Sequence, residues 1–322
     1  MRWFFAQAVR TCRRRRSPGC RVADSACTTS RKDDVMTSPS LTAPDLFKEL
    51  DGTRFACRRF GRPDGVPLVL LSRFRGTMDD WNPLFVDALA EARPVILFDN
   101  AGIGRSEGRT PGTITEMAVT AAAFVAAVAD PPVDLLGFSL GGYVAQRLTL
   151  GRPELVRRLV LAGTGPGAGE GILPSNPQVA PLRSAPEMDP ATLRALFFTR
   201  SPAGARAAEE VWHRTHQRPR REPGVPSESW ERQIDAIAHW SSADGDGAYD
   251  SLERLSLPVL VANGSDDVMI PTVNSFVMSQ RLPDAELVIY PDSGHGFLFQ
   301  YAELFAARVD EFLDRPVHST AS

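Results

Sequence analysis

VDLLGFSLGGYVAQ, residues 133 to 146, runs from an apolar segment into a helical pattern through one serine set between two glycines. Val133 to Leu136 predicts a buried strand and Tyr143 to Leu150 a helix, leaving Gly137-Phe138-Ser139-Leu140-Gly141 as the turn between them. A turn this sharp needs small neighbours, because side chains at positions 137 and 141 would strike the adjacent strand and helix. It lifts the Ser139 hydroxyl above the carboxyl edge of a sheet and aims the first N–H groups of the helix at the same spot. The five-residue pattern by itself also suits an ordinary glycine-rich turn; the strand-turn-helix setting gives it chemical meaning.

Outward from that turn, past residue 45, short apolar runs alternate with helical stretches, the signature of a parallel sheet covered by helices. Val66 to Leu71, Pro94 to Phe98, Val133 to Leu136 and Leu159 to Leu161 form one series of predicted strands, continued by Leu257 to Ala262 and Glu286 to Tyr290. Unbroken Val, Ile and Leu runs predict strands buried on both faces. Between the two groups, about residues 165 to 250, the pattern turns Pro-rich, charged and helical, which predicts a helical lid inserted between two strands. Alanine-rich Met117 to Val128 predicts a packed helix rather than a membrane span, and no run of 18 apolar residues occurs. No internal repeat is present.

The 322 residues, 43% hydrophobic and 23% charged, suffice for one domain with a large insertion. A net charge of -3 is not the balance of a nucleic-acid binder. Residues 1 to 35 hold nine Lys or Arg against three Asp, so the remainder carries -9. This predicts a disordered basic tail over residues 1 to 40, without the apolar segment of a secretory signal and with Met36 as an alternative start. A transit peptide or a nucleic-acid-binding arm is the other reading of the tail. Cys12, Cys20 and Cys27 lie in it and only Cys57 in the body, so no disulfide framework is expected and a reducing, cytoplasmic compartment fits. The tail cysteines lack the spacing of a zinc site.

A serine hydroxyl is a weak nucleophile at neutral pH and requires a histidine base with a carboxylate to orient it. Of five histidines, His213 and His216 fall in the Arg-rich stretch WHRTHQRPRRE and read as solvated surface, the alternative for an i,i+3 pair being a metal site. His239 sits beside Trp240 in a predicted lid helix, and His318 lies in the C-terminal tail. His295 remains, in PDSGHGF directly after the strand ELVIY, between glycines that let a loop carry the ring back over the sheet. The loop after LPVLVA, NGSDDVMIP, leaves its strand at the same edge and offers Asp266 and Asp267 as the carboxylate. Asp292, nearer to His295 in sequence, reads as a residue that stabilises the loop.

FDNAGIGRSEG, residues 98 to 108, resembles the D-x-x-G-x-G-x-S turn of α/β hydrolases, carried by Asp99, Gly102, Gly104 and Ser106. With the serine turn, NGSDD and PDSGHGF it makes four motifs in the order that fold uses. Over residues 45 to 315 the chain is therefore similar to the α/β-hydrolase family, nearest its bacterial esterase, non-haem haloperoxidase and enol-lactonase group. The resemblance implies an α/β-hydrolase fold: a mostly parallel central sheet with helices on both faces and an inserted helical lid. It implies Ser139, Asp267 and His295 as the catalytic residues, Asp267 being preferred by its Gly-x-x-Asp spacing from Gly264, and no metal or organic cofactor. Where the family usually has His-Gly after the third strand, this chain has Ser72-Arg73, in LLSRFRGTMDDW. Carried over by position, the backbone N–H groups of Phe74 and Leu140 form the oxyanion hole, and a backbone contribution need not be abolished by side-chain replacement. Arg73 and Arg75 read as outward, solvated charges, the alternative being contact with an anionic substrate group.

The implied reaction is acyl transfer to water from a small to medium hydrophobic ester or lactone. C–C bond hydrolysis and perhydrolysis are alternatives on the same triad, and ligand sensing with little turnover is a reading of another class. Phe74, Trp212 and Trp240 are expected to line the substrate pocket, although lid aromatics equally suit packing of the lid against the core. The expected partner is a small molecule, neither nucleic acid nor membrane.

Overall fold

All six predicted apolar runs form strands, and two more strands precede them. The computed structural model describes residues 38 to 183, 185 and 188 to 316. The expectations for the basic tail up to residue 37, its three cysteines, Met36 and His318 lie outside the described residues; residues 39 and 40, expected to be disordered with the tail, instead begin a short helix, Pro39–Thr42. The strands are β1 (Leu46–Leu50), β2 (Thr53–Gly61), β3 (Leu68–Leu71), β4 (Pro94–Phe98), β5 (Val133–Phe138), β6 (Val156–Ala162), β7 (Val259–Gly264) and β8 (Ala285–Tyr290). They form one sheet in the order β1-β2-β4-β3-β5-β6-β7-β8, antiparallel at β1-β2 and β2-β4 and parallel elsewhere. The β1–β2 hairpin turns through Asp51 and Gly52, both left-handed (φ 49° and 76°), as the two-residue Asp-Gly hairpin turn demands.

The helices are α1 (Pro39–Thr42), α2 (Pro83–Ala90), α3 (Ile114–Val128), α4 (Leu140–Gly151), α5 (Ala180–Arg183), α6 (Pro190–Phe197), α7 (Pro202–Thr215), α8 (Ser227–Trp240), α9 (Thr272–Arg281), α10 (Phe297–Gln300) and α11 (Ala302–Asp314). Successive strand residues serve opposite faces of the sheet. Leu68 and Leu70 join one hydrophobic cluster with α2, α10 and α11, whereas Val69 and Leu71 join another with α3, α4 and α8. Alanine-rich α3 is capped by the Thr113 side chain, which accepts from Glu116 N–H at 3.2 Å, and it buries Ala118, Ala121, Ala122 and Val125. Among the described residues no helix is long and apolar enough to cross a membrane.

One expectation needs correction. Burial on both faces holds for β3 to β7 but not for β8, which pairs only with β7 and is half-buried or exposed from Ala285 to Ile289. An edge strand has no neighbour to cover its outer side. The helices α5 to α8 lie between the adjacent strands β6 and β7, with no strand among the described residues of that insertion. Phe138 is in register with Ala162, Ala162 with Ala262, and Gly264 with Tyr290. The carboxyl ends of β5, β6, β7 and β8 therefore share one rim, the edge at which ligands bind in open parallel sheets.

Candidate active site

At the end of β5, Ser139 adopts φ 56° and ψ -119°, a conformation uncommon for any residue with a side chain. Its surroundings enforce it. Ser139 N–H donates to Ala162 C=O at 3.0 Å, and Ser139 C=O accepts from Gly142 N–H and the Thr164 hydroxyl, both at 2.8 Å. A Cβ on Gly137 would lie 2.5 Å from Gly141 C=O, and one on Gly141 would overlap Leu71 C=O of β3. A third glycine had no role in the sequence argument: a Cβ on Gly142 would lie 2.5 Å from the Thr164 side chain. Its signal was the Gly-Gly pair, but the neighbour that makes it necessary lies in the loop after another strand, β6.

Asp267 follows β7 and His295 follows β8. The loops are stitched together by backbone, Asp266 N–H donating to Ser293 C=O and Ser265 N–H to Tyr290 C=O, each at 2.9 Å. His295 Nδ1 lies 2.7 Å from Asp267 Oδ2, and Asp267 Oδ1 accepts from Met269 N–H and Ile270 N–H at 2.8 and 2.9 Å. Both carboxylate oxygens are thus used, and a proton on Nδ1 leaves Nε2 as the acceptor. His295 is 1% exposed and packed between the rings of Phe138 (5.0 Å between centroids) and Phe197 (5.3 Å). Phe138 directly precedes Ser139, so the imidazole lies beside the serine turn. Among the described residues no hydrogen bond joins the Ser139 hydroxyl to His295. Asp266 is exposed and accepts from Ser265. Asp292 accepts from the Thr199 and Ser201 hydroxyls, both at 2.8 Å, fastening the insertion to the histidine loop.

The loop after β3 overturns the reading of Arg73 as a solvated charge. Arg73 is 7% exposed; its Nη1 donates to Phe74 C=O at 2.9 Å, its Nη2 lies 3.3 Å from Asp80, and its guanidinium covers the Phe197 ring at 5.1 Å. A planar, weakly hydrated guanidinium tolerates such burial better than an ammonium does. Arg75 is half-buried, donating to Ala185 C=O at 2.6 Å and covering Trp230 at 5.2 Å. Ser72 accepts from the Trp81 indole N–H at 3.0 Å. The N–H groups of Phe74 and Leu140 donate to no other described residue.

Behind this loop lies an ion cluster that sequence reasoning missed. Arg58 of β2, 1% exposed, reaches Asp45 at 2.7 Å, Asp79 at 2.5 Å and Glu222 at 2.7 Å. Arg105 lies 3.1 Å from Glu222, Arg218 lies 3.1 Å from Asp45, and Glu222 N–H donates to Asp79. Asp99 accepts from Met78 N–H at 2.8 Å; burial, reinforced by the nearby Glu222 charge, pushes its carboxyl well above the usual carboxylate range. In the stretch read as solvated, His213 and His216 are exposed, but Arg218 is half-buried and Glu222 is buried. No group of three or more His, Cys, Asp or Glu side chains that could hold a metal ion occurs among the described residues.

Trp240 belongs to the hydrophobic core and stacks on Tyr143 at 5.0 Å, while half-buried Trp212 stacks on His216 at 3.9 Å. A cavity of about 720 Å³ lies between the insertion and the acid loop, lined by Val179, Leu182, Ala195 and Phe198 on one side and Asp266 and Val268 on the other.

The family described as alpha/beta hydrolase matches residues 68–308. The chain is 30% identical over 278 residues to a poly(3-hydroxyalkanoate) depolymerase of Ectopseudomonas oleovorans, covering 84% of this chain and 94% of that protein. It is 29% identical over 273 residues to a non-heme chloroperoxidase of Streptomyces lividans, covering 79% and 94%. An alpha/beta hydrolase fold protein from Chitinophaga pinensis superposes with a TM-score of 0.79 at 32% identity, covering 86% of this chain and all of that one.

Proposed function

The chain belongs to the alpha/beta hydrolase family, and from that premise we propose that it is a serine hydrolase of esters or lactones using Ser139, His295 and Asp267. The observation that carries the reading is the 2.7 Å contact of His295 with Asp267, on a ring packed against the residue preceding a strained serine. In the proposed cycle His295 Nε2 takes the Ser139 proton as Oγ attacks the acyl carbon. Phe74 N–H and Leu140 N–H hold the oxyanion, and losing one such donor costs about 3 kcal/mol of transition-state stabilisation. The proton on Nε2 then goes to the leaving alcohol, and water activated by His295 hydrolyses the acyl-enzyme. Asp267 stays ionised and fixes the Nδ1–H tautomer.

A small to medium acyl group suits the cavity beside the loop after β7, whose walls mix Val179, Leu182 and Phe198 with Asn176, Arg194 and Arg200, although Ser139 and His295 do not line it. A relative named for depolymerising a poly(3-hydroxyalkanoate), a chain of ester links, favours ester chemistry. Phe74 would border the acyl group, with Trp212 and Trp240 shaping the lid by packing. A cytoplasmic setting belongs to the same proposal, supported by the free, buried thiol of Cys57.

The test is labelling by a fluorophosphonate together with turnover of p-nitrophenyl butyrate. Ser139→Ala should abolish labelling and lower kcat by at least about 10⁴-fold at an unchanged melting temperature. Retained turnover in that variant refutes the assignment; an unlabelled, inactive wild type favours a ligand-binding role.

A further inference from the structure

We propose that Gln233 of the insertion and Arg73 are positioning residues that lock the turn presenting the Phe74 N–H; the inference rests on the serine-hydrolase reading above. Gly76 N–H donates to Arg73 C=O at 3.0 Å, closing a four-residue turn from Arg73 to Gly76 in which Phe74 is second and Arg75 third. Arg75 has φ 54°, the left-handed conformation that type II turns require of their third residue and usually fill with glycine. An L side chain there costs about 1 kcal/mol. Rotation of the Phe74–Arg75 peptide by half a turn would relieve that cost and give the commoner type I turn.

Both ends of that peptide are held against rotation. Phe74 C=O accepts a charge-assisted bond from Arg73 Nη1 at 2.9 Å, and Arg75 N–H donates to Gln233 Oε1 at 3.0 Å. Gln233 lies on α8, 1% exposed, so its amide has little freedom to move away. Arg73 is fixed by Asp80 and by Phe197, whose ring also packs on His295 and whose C=O accepts from Gly296 N–H at 2.7 Å. If the peptide rotated, Phe74 C=O would face the acceptor oxygen of Gln233 and Arg75 N–H would face a cation. The Phe74 N–H belongs to the preceding peptide, so α8 acts on the oxyanion site by holding the turn that carries this donor rather than by touching it, and the Arg that replaces the family's usual glycine has a place in the same device.

The test separates hydrogen bonding from packing. Gln233→Met keeps the volume and removes the acceptor, whereas Gln233→Glu keeps an acceptor. With p-nitrophenyl butyrate, Gln233→Met should lose about tenfold to a hundredfold in kcat, with KM within about twofold, and its fluorophosphonate labelling rate should fall in step. Gln233→Glu should keep kcat within about threefold of wild type. Hydrogen exchange should show the segment containing Arg75 protected in wild type and Gln233→Glu but unprotected in Gln233→Met, a readout that needs no turnover. Unchanged kcat and protection in Gln233→Met overturn the proposal. Equal losses in both variants that track their melting temperatures, or a rise in KM alone, do the same by assigning Gln233 to packing or to the substrate wall. A wild type that neither labels nor turns over refutes the serine reading instead, and exchange at Arg75 still decides whether the turn is locked.

Discussion

At the serine turn the backbone is shaped by what its residues lack: Gly137, Gly141 and Gly142 leave room for the next helix, for Leu71 C=O and for Thr164. The loop from Ser72 to Gly76 is shaped by what reaches it from elsewhere: Trp81 holds Ser72, Gln233 holds Arg75, and the Arg58–Asp79–Glu222 cluster backs the single 3-10 turn that follows, Met78–Asp80. The difference is between short-range steric exclusion, which one stretch of chain carries by itself, and polar bonds between parts of the chain far apart in sequence. The first cannot be titrated; the ionic part of the second can.

That contrast can be attacked from both sides. Arg58→Met should have the largest effect, about 4 kcal/mol from the urea midpoint, because it leaves Asp79 and Glu222 buried without their shared cation. If Arg58→Met is as stable as wild type, the cluster does not hold the loop. Gly141→Ala should cost about 3 kcal/mol by forcing a methyl into Leu71 C=O, and the loss should be the same at low and high salt. A salt-dependent loss at Gly141 would erase the distinction between the two regions. Ser72→Ala should cost about 1.5 kcal/mol by leaving the buried Trp81 indole N–H without an acceptor, measurable in the same unfolding assay.

The smallest effect is a titration in α11, outside both regions. Burial pushes the Asp310 carboxyl up to about 6 against the pull of Arg93. The folded protein holds a proton there that the unfolded chain releases near its ordinary value. The resulting stability is full below that value and is lost as pH rises through about 6, by about 1 kcal/mol once partial exposure is allowed for. Asp310→Asn should flatten that decline; an unchanged stability profile between pH 4 and 7 would show that Asp310 is not its source.

The strands β3 to β8 were legible because uninterrupted apolar runs leave few other places for such residues. The β1–β2 hairpin went unread because Thr53–Gly61 mixes arginines with apolar residues, although its Asp51-Gly52 turn was a usable signal. Arg73 was misread for a related reason: a charge in a loop is normally solvated, and only the arrival of Asp80 and Phe197 reverses that. Gln233 gave no local sign at all, since a glutamine in an amphipathic helix looks the same whether it meets water or a peptide N–H.

From the residues alone came six of the eight strands and the small set of side chains worth testing, because steric room and apolar periodicity are properties of neighbours along the chain. Which carboxylate meets His295, how Arg75 sustains a left-handed backbone and where the buried charges pair were decided only on folding. Those outcomes depend on distances between segments that no local pattern encodes, and on burial, which strengthens a made hydrogen bond and penalises a missing one.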